Sequence, residues 1–143
     1  MSDIYITAAK RTAVGSLGKS LSKIKAHDLG SSAISETLKF NNIDKNNVDE
    51  VIMGQVLTSA SGQNSARQAA IKSGIPKEKT AYVVNQVCGS GIRSIVSGYQ
   101  SIKSGDANII VAGGQENMSL APHAIHLRNG EKLGDAELID TMI

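Results

Sequence analysis

The sequence predicts an α/β fold: a largely parallel sheet crossed by helices in the order β-α-β-α-β-α-β. Short apolar runs of strand length alternate with longer runs of helical period over residues 4–114. Cap and turn residues punctuate the junctions. Of the 143 residues 41% are apolar, yet only one Phe, three Tyr and no Trp contribute, so the core must be built from Ile, Val, Leu and Ala. Such a core suits tightly packed layers.

Taken in order, Ile4–Ala9 reads as the first strand. A helix from about Asp28 to Phe40 follows, with Leu29, Ala33, Ile34 and Leu38 as its apolar positions. Val51–Val56 is the second strand. Asn64 is placed to cap a helix over Ser65–Ser73, which Gly74 and Pro76 bring to an end. Ala81–Val87 is the third strand. The next helix sets Ile92, Ile95, Val96, Tyr99 and Ile102 on one face and stops at Gly105, and Asn108–Ala112 is the fourth strand, closed by Gly113-Gly114. From Gln115 the alternation ends, and the tail through Ile143 shows no clear element. A compact domain does not normally end this way, so the expectation is either a disordered tail or the front portion of something larger.

Composition narrows the function. A chain of 143 residues is the size of one domain, able to bury roughly 70% of its unfolded surface. The net charge is +2, from 15 basic and 13 acidic residues scattered along the chain, and no basic run carries interleaved aromatics. Nucleic acid is therefore not an expected partner. No charged leader precedes an apolar stretch and no apolar run approaches bilayer length, so neither export nor a membrane is expected. One cysteine forms no internal disulfide, and His27, His123 and His126 do not join it at a zinc-site spacing. The expected chain is reduced, cytoplasmic and metal-free.

That cysteine, Cys88, is the most informative residue. It lies where the strand-like Tyr82–Val87 meets the helix-like run beginning Gly89-Ser90-Gly91. A sulfur at a helix start is favoured as thiolate by unpaired N–H groups and the positive end of the dipole, and the same N–H groups can receive a developing oxyanion. Gly89 and Gly91, which follow Cys88, permit a tight turn and close approach of a carbonyl. The spacing matches a nucleophile elbow. The plainer alternative is a small buried hydrophobe without chemistry.

Four segments together resemble the thiolase family. They are Ala9-Lys10-Arg11-Thr12 with Gly15; Gly54-Gln55-Val56 followed by Gly62 to Gln68; Asn85-Gln86-Val87-Cys88-Gly89-Ser90-Gly91-Ile92-Arg93-Ser94; and Gly113-Gly114-Gln115-Glu116-Asn117-Met118-Ser119 with Pro122. The resemblance implies the N-terminal half of a layered thiolase-like fold, with residues 1–118 as the domain carrying the nucleophile and 119–143 as the beginning of a loop region. It implies that Cys88 takes an acetyl group from acetyl-CoA, and that a second acetyl-CoA then attacks the thioester to give acetoacetyl-CoA, or the reverse thiolysis. Coenzyme A thioesters enter as substrates, with no cofactor and no metal.

The resemblance also implies partners: a homo-oligomer, dimer or tetramer, or a separate C-terminal thiolase chain. Thiolases carry a second cysteine and two histidines in motifs that do not occur among these residues, so the chain alone is expected to be inactive. For His27, His123 and His126 the expectation is a solvated polar role. For Met118 it is core packing rather than a place in the acyl pocket. Gln63 to Gln68 reads both as an interface segment beside the nucleophile and as a helix cap, Gln63-Asn64, with a surface ion pair at Arg67. Two other functions stay open: another condensing enzyme of the β-ketoacyl synthase type, and a non-catalytic remnant serving folding or dimerisation. The flanks of Cys88 favour the thiolase pattern.

Overall fold

The structure, a computed structural model, describes residues 3–130 and 133–143. Its centre is a parallel sheet of β1 (Glu50–Gly54), β2 (Thr80–Val84) and β3 (Ile110–Gly114) in the order β2-β1-β3. The helices are α1 (Ala26–Phe40), α2 (Ser65–Lys72) and α3 (Ser90–Ser104). Successive strand residues point to opposite faces. Val51 and Met53 of β1 accordingly join Ile34 and Leu38 of α1 and Ala66, Ala69 and Ala70 of α2 in one apolar core. Ile52 and Gly54 turn to the other face, where α3 packs on β1 and β3. The result is three layers, with β1 buried on both sides.

The two helical layers are built differently. On the α1 and α2 side the core residues are all but fully buried. Asn64 caps α2 as predicted, its side chain accepting from the Arg67 N–H at 2.9 Å, and Gly74 follows in the left-handed region at φ 85°. α3 instead meets the sheet through Ser90, Ser94 and Gly98. A Cβ on Gly98 would stand 3.3 Å from Ile110 Cγ2, so the helix lies close. Its apolar residues face away: Ile92 is 69% exposed and Tyr99 51%. Helical period identified that apolar face but not its direction, because the small residues offer the closer packing to the sheet.

Two elements differ from expectation. Residues 4–9 form no strand; an extended segment becomes one only with a ladder partner, and the sheet contains three strands. The segment is held instead by Asn41 Nδ2 donating to the Thr7 carbonyl at 2.7 Å, and Tyr5 and Ile6 are exposed. The tail is more ordered than its sequence suggests, since β4 (His123–Ala124) pairs antiparallel with β5 (Ile139–Asp140). A 3₁₀ turn over Met118–Leu120 precedes it, capped by Asn117, whose Nδ2 also donates to the carbonyls of Leu21, Ser22 and Ile24.

The expected solvated role for His27 does not hold, although His123 is exposed as anticipated. His27 is only 3% exposed at the start of α1. Burial lowers its pKa from 6.5; Asp28 opposes that change, and Lys72 and Lys25 reinforce it. Its stabilising contribution is therefore complete above 6.5 and is lost as pH falls through the lower folded value, because the unfolded chain binds the proton first. Asp28 and Asp49 are held below 3.8, by the Lys72 ammonium and by the Asn108 and Ile109 N–H groups respectively, and lose their contributions in a second, more acid window. Thermal unfolding followed by circular dichroism is expected to show two descending limbs with acidification. His27→Gln flattens the limb just below 6.5 and leaves the acid one; an unchanged upper limb in that variant would contradict the assignment.

Candidate active site

The ends of β1, β2 and β3 converge on one cleft of about 570 Å³, lined among others by Val56, Leu57, Val87, Cys88, Glu116 and Met118. α2 follows β1 on one face of the sheet and α3 follows β2 on the other, so the cleft opens between neighbouring strands whose connections diverge. Such switch points are where open α/β sheets gather ligands.

β2 stops at Val84, three residues short of the predicted strand end, because residues 85–89 turn into α3. Asn85 Oδ1 accepts from the Val87 N–H at 2.9 Å. The Gly89 N–H donates to the Gln86 carbonyl at 3.0 Å, and Ser90 Oγ donates to the Val87 carbonyl at 2.6 Å while accepting from the Gln86 N–H at 2.9 Å. These bonds hold Val87 at φ 50°, a conformation that a β-branched residue adopts only under constraint. Cys88 comes next, with Gly89 as the N-cap of α3, and its thiol is free and exposed. The buried-hydrophobe alternative is thereby excluded. The N-cap of α3, Gly89, makes no side-chain cap bond, so the first turn of the helix, which can receive an oxyanion at its N–H groups, follows Cys88 directly in the chain.

α3 can begin here only because of Gly54. A Cβ at that position would lie 2.3 Å from the Ser90 carbonyl carbon, 2.5 Å from its oxygen and 2.6 Å from the Gly91 nitrogen, all backbone atoms. Behind the cleft runs a buried polar network. Gln55 Oε1 accepts from Ser65 Oγ at 2.6 Å and from Gln115 Nε2 at 2.9 Å, while Gln55 Nε2 donates to the Leu57 carbonyl at 2.8 Å. The Glu116 carboxylate accepts from the Val56 N–H at 2.8 Å and the Leu57 N–H at 3.3 Å.

Of the residues singled out in the sequence, Cys88 stands on the cleft and the three histidines do not; among the described residues no histidine lines it. Met118 is not core: it is 51% exposed and on the cleft, because the turn after β3 faces the open side of the sheet. Among the described residues Arg67 makes no ion pair; its guanidinium donates to the backbone carbonyls of Lys77 and Lys79. Sequence reasoning missed the roles of Gln55, Gln115 and Glu116. The signal was present, since Gly-Gln recurs directly at the ends of β1 and β3, where an apolar strand has no other reason to place an amide.

Comparison with known proteins agrees with this geometry. The family described as thiolase, N-terminal domain, matches residues 4–143. Acetyl-CoA acetyltransferase of Rhizobium meliloti (strain 1021) is 54% identical over 140 residues, 98% of this chain and 36% of the relative. The cytosolic acetyl-CoA acetyltransferase of Rattus norvegicus is 44% identical over 98% of this chain and 35% of its own length. The crystal structure of the Bacillus anthracis acetyl-CoA acetyltransferase superposes with a TM-score of 0.89 at 35% identity, covering 95% of this chain and 35% of that one. The chain thus spans about a third of the length of the curated relatives it matches.

The Gly54 contact makes a prediction. Gly54→Ala forces backbone against backbone, an overpacking expected to cost about 1–3 kcal/mol or more, read as a lower urea midpoint together with slower alkylation of Cys88. A variant with wild-type midpoint and wild-type alkylation would show that the first turn of α3 is not seated as described.

Proposed function

This chain belongs to the thiolase family, and on that footing we propose that it supplies the nucleophile of a thiolase-type acyl transfer. The carrying observation is Cys88 itself: an exposed thiol at the start of α3, on the cleft at the strand ends. The Cys88 thiolate attacks the carbonyl carbon of acetyl-CoA. The carbon–sulfur bond to coenzyme A breaks, the coenzyme A thiolate leaves, and the acetyl group remains on Sγ as a thioester. A second acetyl-CoA, deprotonated at its methyl, then attacks that thioester. A carbon–carbon bond forms, the Cys88 thiolate departs, and acetoacetyl-CoA is released; thiolysis runs the same steps backward. The N–H groups of the first turn of α3, which lacks a side-chain cap, support the oxyanion in both steps. Coenzyme A thioesters are the substrates, and the reaction requires neither cofactor nor metal.

Residues 119–143 begin the loop region that follows the nucleophile-bearing domain. The outward face of α3, with Ile92, Ile95, Val96 and Tyr99, is the surface for a second copy or a C-terminal thiolase chain, since exposed apolar stripes of this kind mark contact surfaces. No helix among the described residues is long and apolar enough to cross a membrane. A cytoplasmic location is supported by the free thiol and by the cytosolic rat relative.

Acid–base partners contribute about 10² to 10⁴-fold each, and the cleft holds no histidine among the described residues. Purified residues 1–143 incubated with acetyl-CoA are expected to gain one acetyl group slowly, by intact mass, and to show no turnover of acetoacetyl-CoA. Cys88→Ala abolishes the addition. Acetylation persisting in that variant would overturn the proposal, whereas steady turnover by the wild-type chain would overturn only the expectation that residues 1–143 lack the acid–base partners. Light scattering is expected to find self-association that weakens on Tyr99→Glu; a wild-type monomer at all concentrations would argue against the α3 contact.

A further inference from the structure

We propose that Glu116 is a positioning residue for the nucleophile turn, acting through Val56 and Asn85 on the strained residue that precedes Cys88. The inference rests on the reading of Cys88 as a nucleophile and adds a residue to that site. Val87 at φ 50° needs continuous restraint, because a β-branched side chain relaxes out of the left-handed region when released. Two sets of bonds restrain it. One is local, with Ser90 Oγ bridging the Val87 carbonyl and the Gln86 N–H. The other reaches across the cleft. Asn85 Oδ1 holds the Val87 N–H at 2.9 Å, and Asn85 Nδ2 donates to the Val56 carbonyl at 3.3 Å, which fixes the orientation of the amide.

Val56 is held in turn by Glu116, whose carboxylate accepts its N–H at 2.8 Å and that of Leu57 at 3.3 Å. Bonds to an ionised acceptor are stronger than neutral ones. Gln55 Nε2 donates to the Leu57 carbonyl, which belongs to the next peptide along. The loop after β1 is thereby fixed between Glu116 and Gln55, and the Cys88 turn leans on it through Asn85. Deleting the carboxylate leaves two N–H groups without an acceptor, frees Val56, and lets Val87 and Cys88 move off the helix start.

The test is alkylation of Cys88 by iodoacetamide in the 143-residue chain, as second-order rates between pH 6 and 9.5, with circular dichroism as the check on folding. Glu116→Ala is expected to slow alkylation at pH 7 about three- to tenfold, as small misplacements of a reacting group do, and to move the pH profile upward. Glu116→Gln, which keeps one acceptor oxygen, shows a smaller loss and carries the test if Glu116→Ala does not fold. In a Val87→Gly background the strain is absent, and Glu116→Ala then changes the rate less than about twofold. A role through charge alone predicts the opposite sign, because removing an anion near the sulfur favours thiolate and raises the rate at pH 7. Unchanged or faster alkylation in the Glu116 variants overturns the proposal, as does an equal loss in the Val87→Gly background. A wild-type Cys88 no faster than free cysteine overturns the nucleophile reading itself, and the positioning role with it.

Discussion

The contact on which the site depends is between two pieces of backbone: the first turn of α3 and the end of β1 at Gly54. With Ser90 and Gly91 atoms 2.3 to 2.6 Å from where a Cβ would stand, no other residue at position 54 leaves the helix where it is. This contact sets the height of α3 above the sheet, and the small residues Ser94 and Gly98 continue it along the helix. Cys88 is attached directly to that first turn. The position of its sulfur relative to the strand ends is therefore set by main-chain packing, which is stiffer than any side-chain contact.

Polar groups complete what the glycine begins. The core around Val51 and Met53 is aliphatic and by itself specifies volume rather than alignment. Gln55, Ser65 and Gln115 supply the alignment, tying the end of β1 to α2 and to the end of β3. Their orientations are mutually forced: Gln55 Oε1 receives two donors, so Gln115 must offer its nitrogen. Among the described residues Gln115 Oε1 is buried without a hydrogen-bond partner, against Gly30 of α1, where a Cβ would come within 2.0 Å. An unmet acceptor of this kind costs about 1–3 kcal/mol. It is the cost of holding two strand ends in one register beneath the cleft.

Much of this was legible in the sequence. The three central strands, all three helices and the cap at Asn64 follow from periodicity and turn chemistry, and the placement of Cys88 at a strand-to-helix junction follows from Gly89 and Gly91. What was not legible depends on contacts between distant residues. Ile4–Ala9 has a strand's composition, but composition cannot provide a ladder partner. His27 looks like a solvated helix-start residue until α1 and α2 close on it. Met118 has the chemistry of a core residue, and only the turn after β3 exposes it. Glu116 reads as surface charge until Val56 and Leu57, some 60 residues earlier, present their N–H groups to it.

The two faces of the sheet therefore carry different burdens. Under α1 and α2 the side chains interlock and the apolar surface is consumed: Val48, Val51, Ala66 and Ala69 are all 0% exposed. Over α3 the packing is finished by serines and glycines, and the large apolar residues are displaced outward to the helix's far side. Stability comes chiefly from the first face, since area removed from water is what stabilises. The cleft is built on the second, where Gly54 lets backbone approach backbone and α3 begins beside an exposed thiol. Gly54 adds almost nothing to the core, yet no residue with a Cβ admits the close approach that the start of α3 makes there. The strain at Val87 follows from the same division: it is tolerable because the α1 and α2 face holds β1 and β2 rigid while the turn above them is bent into place.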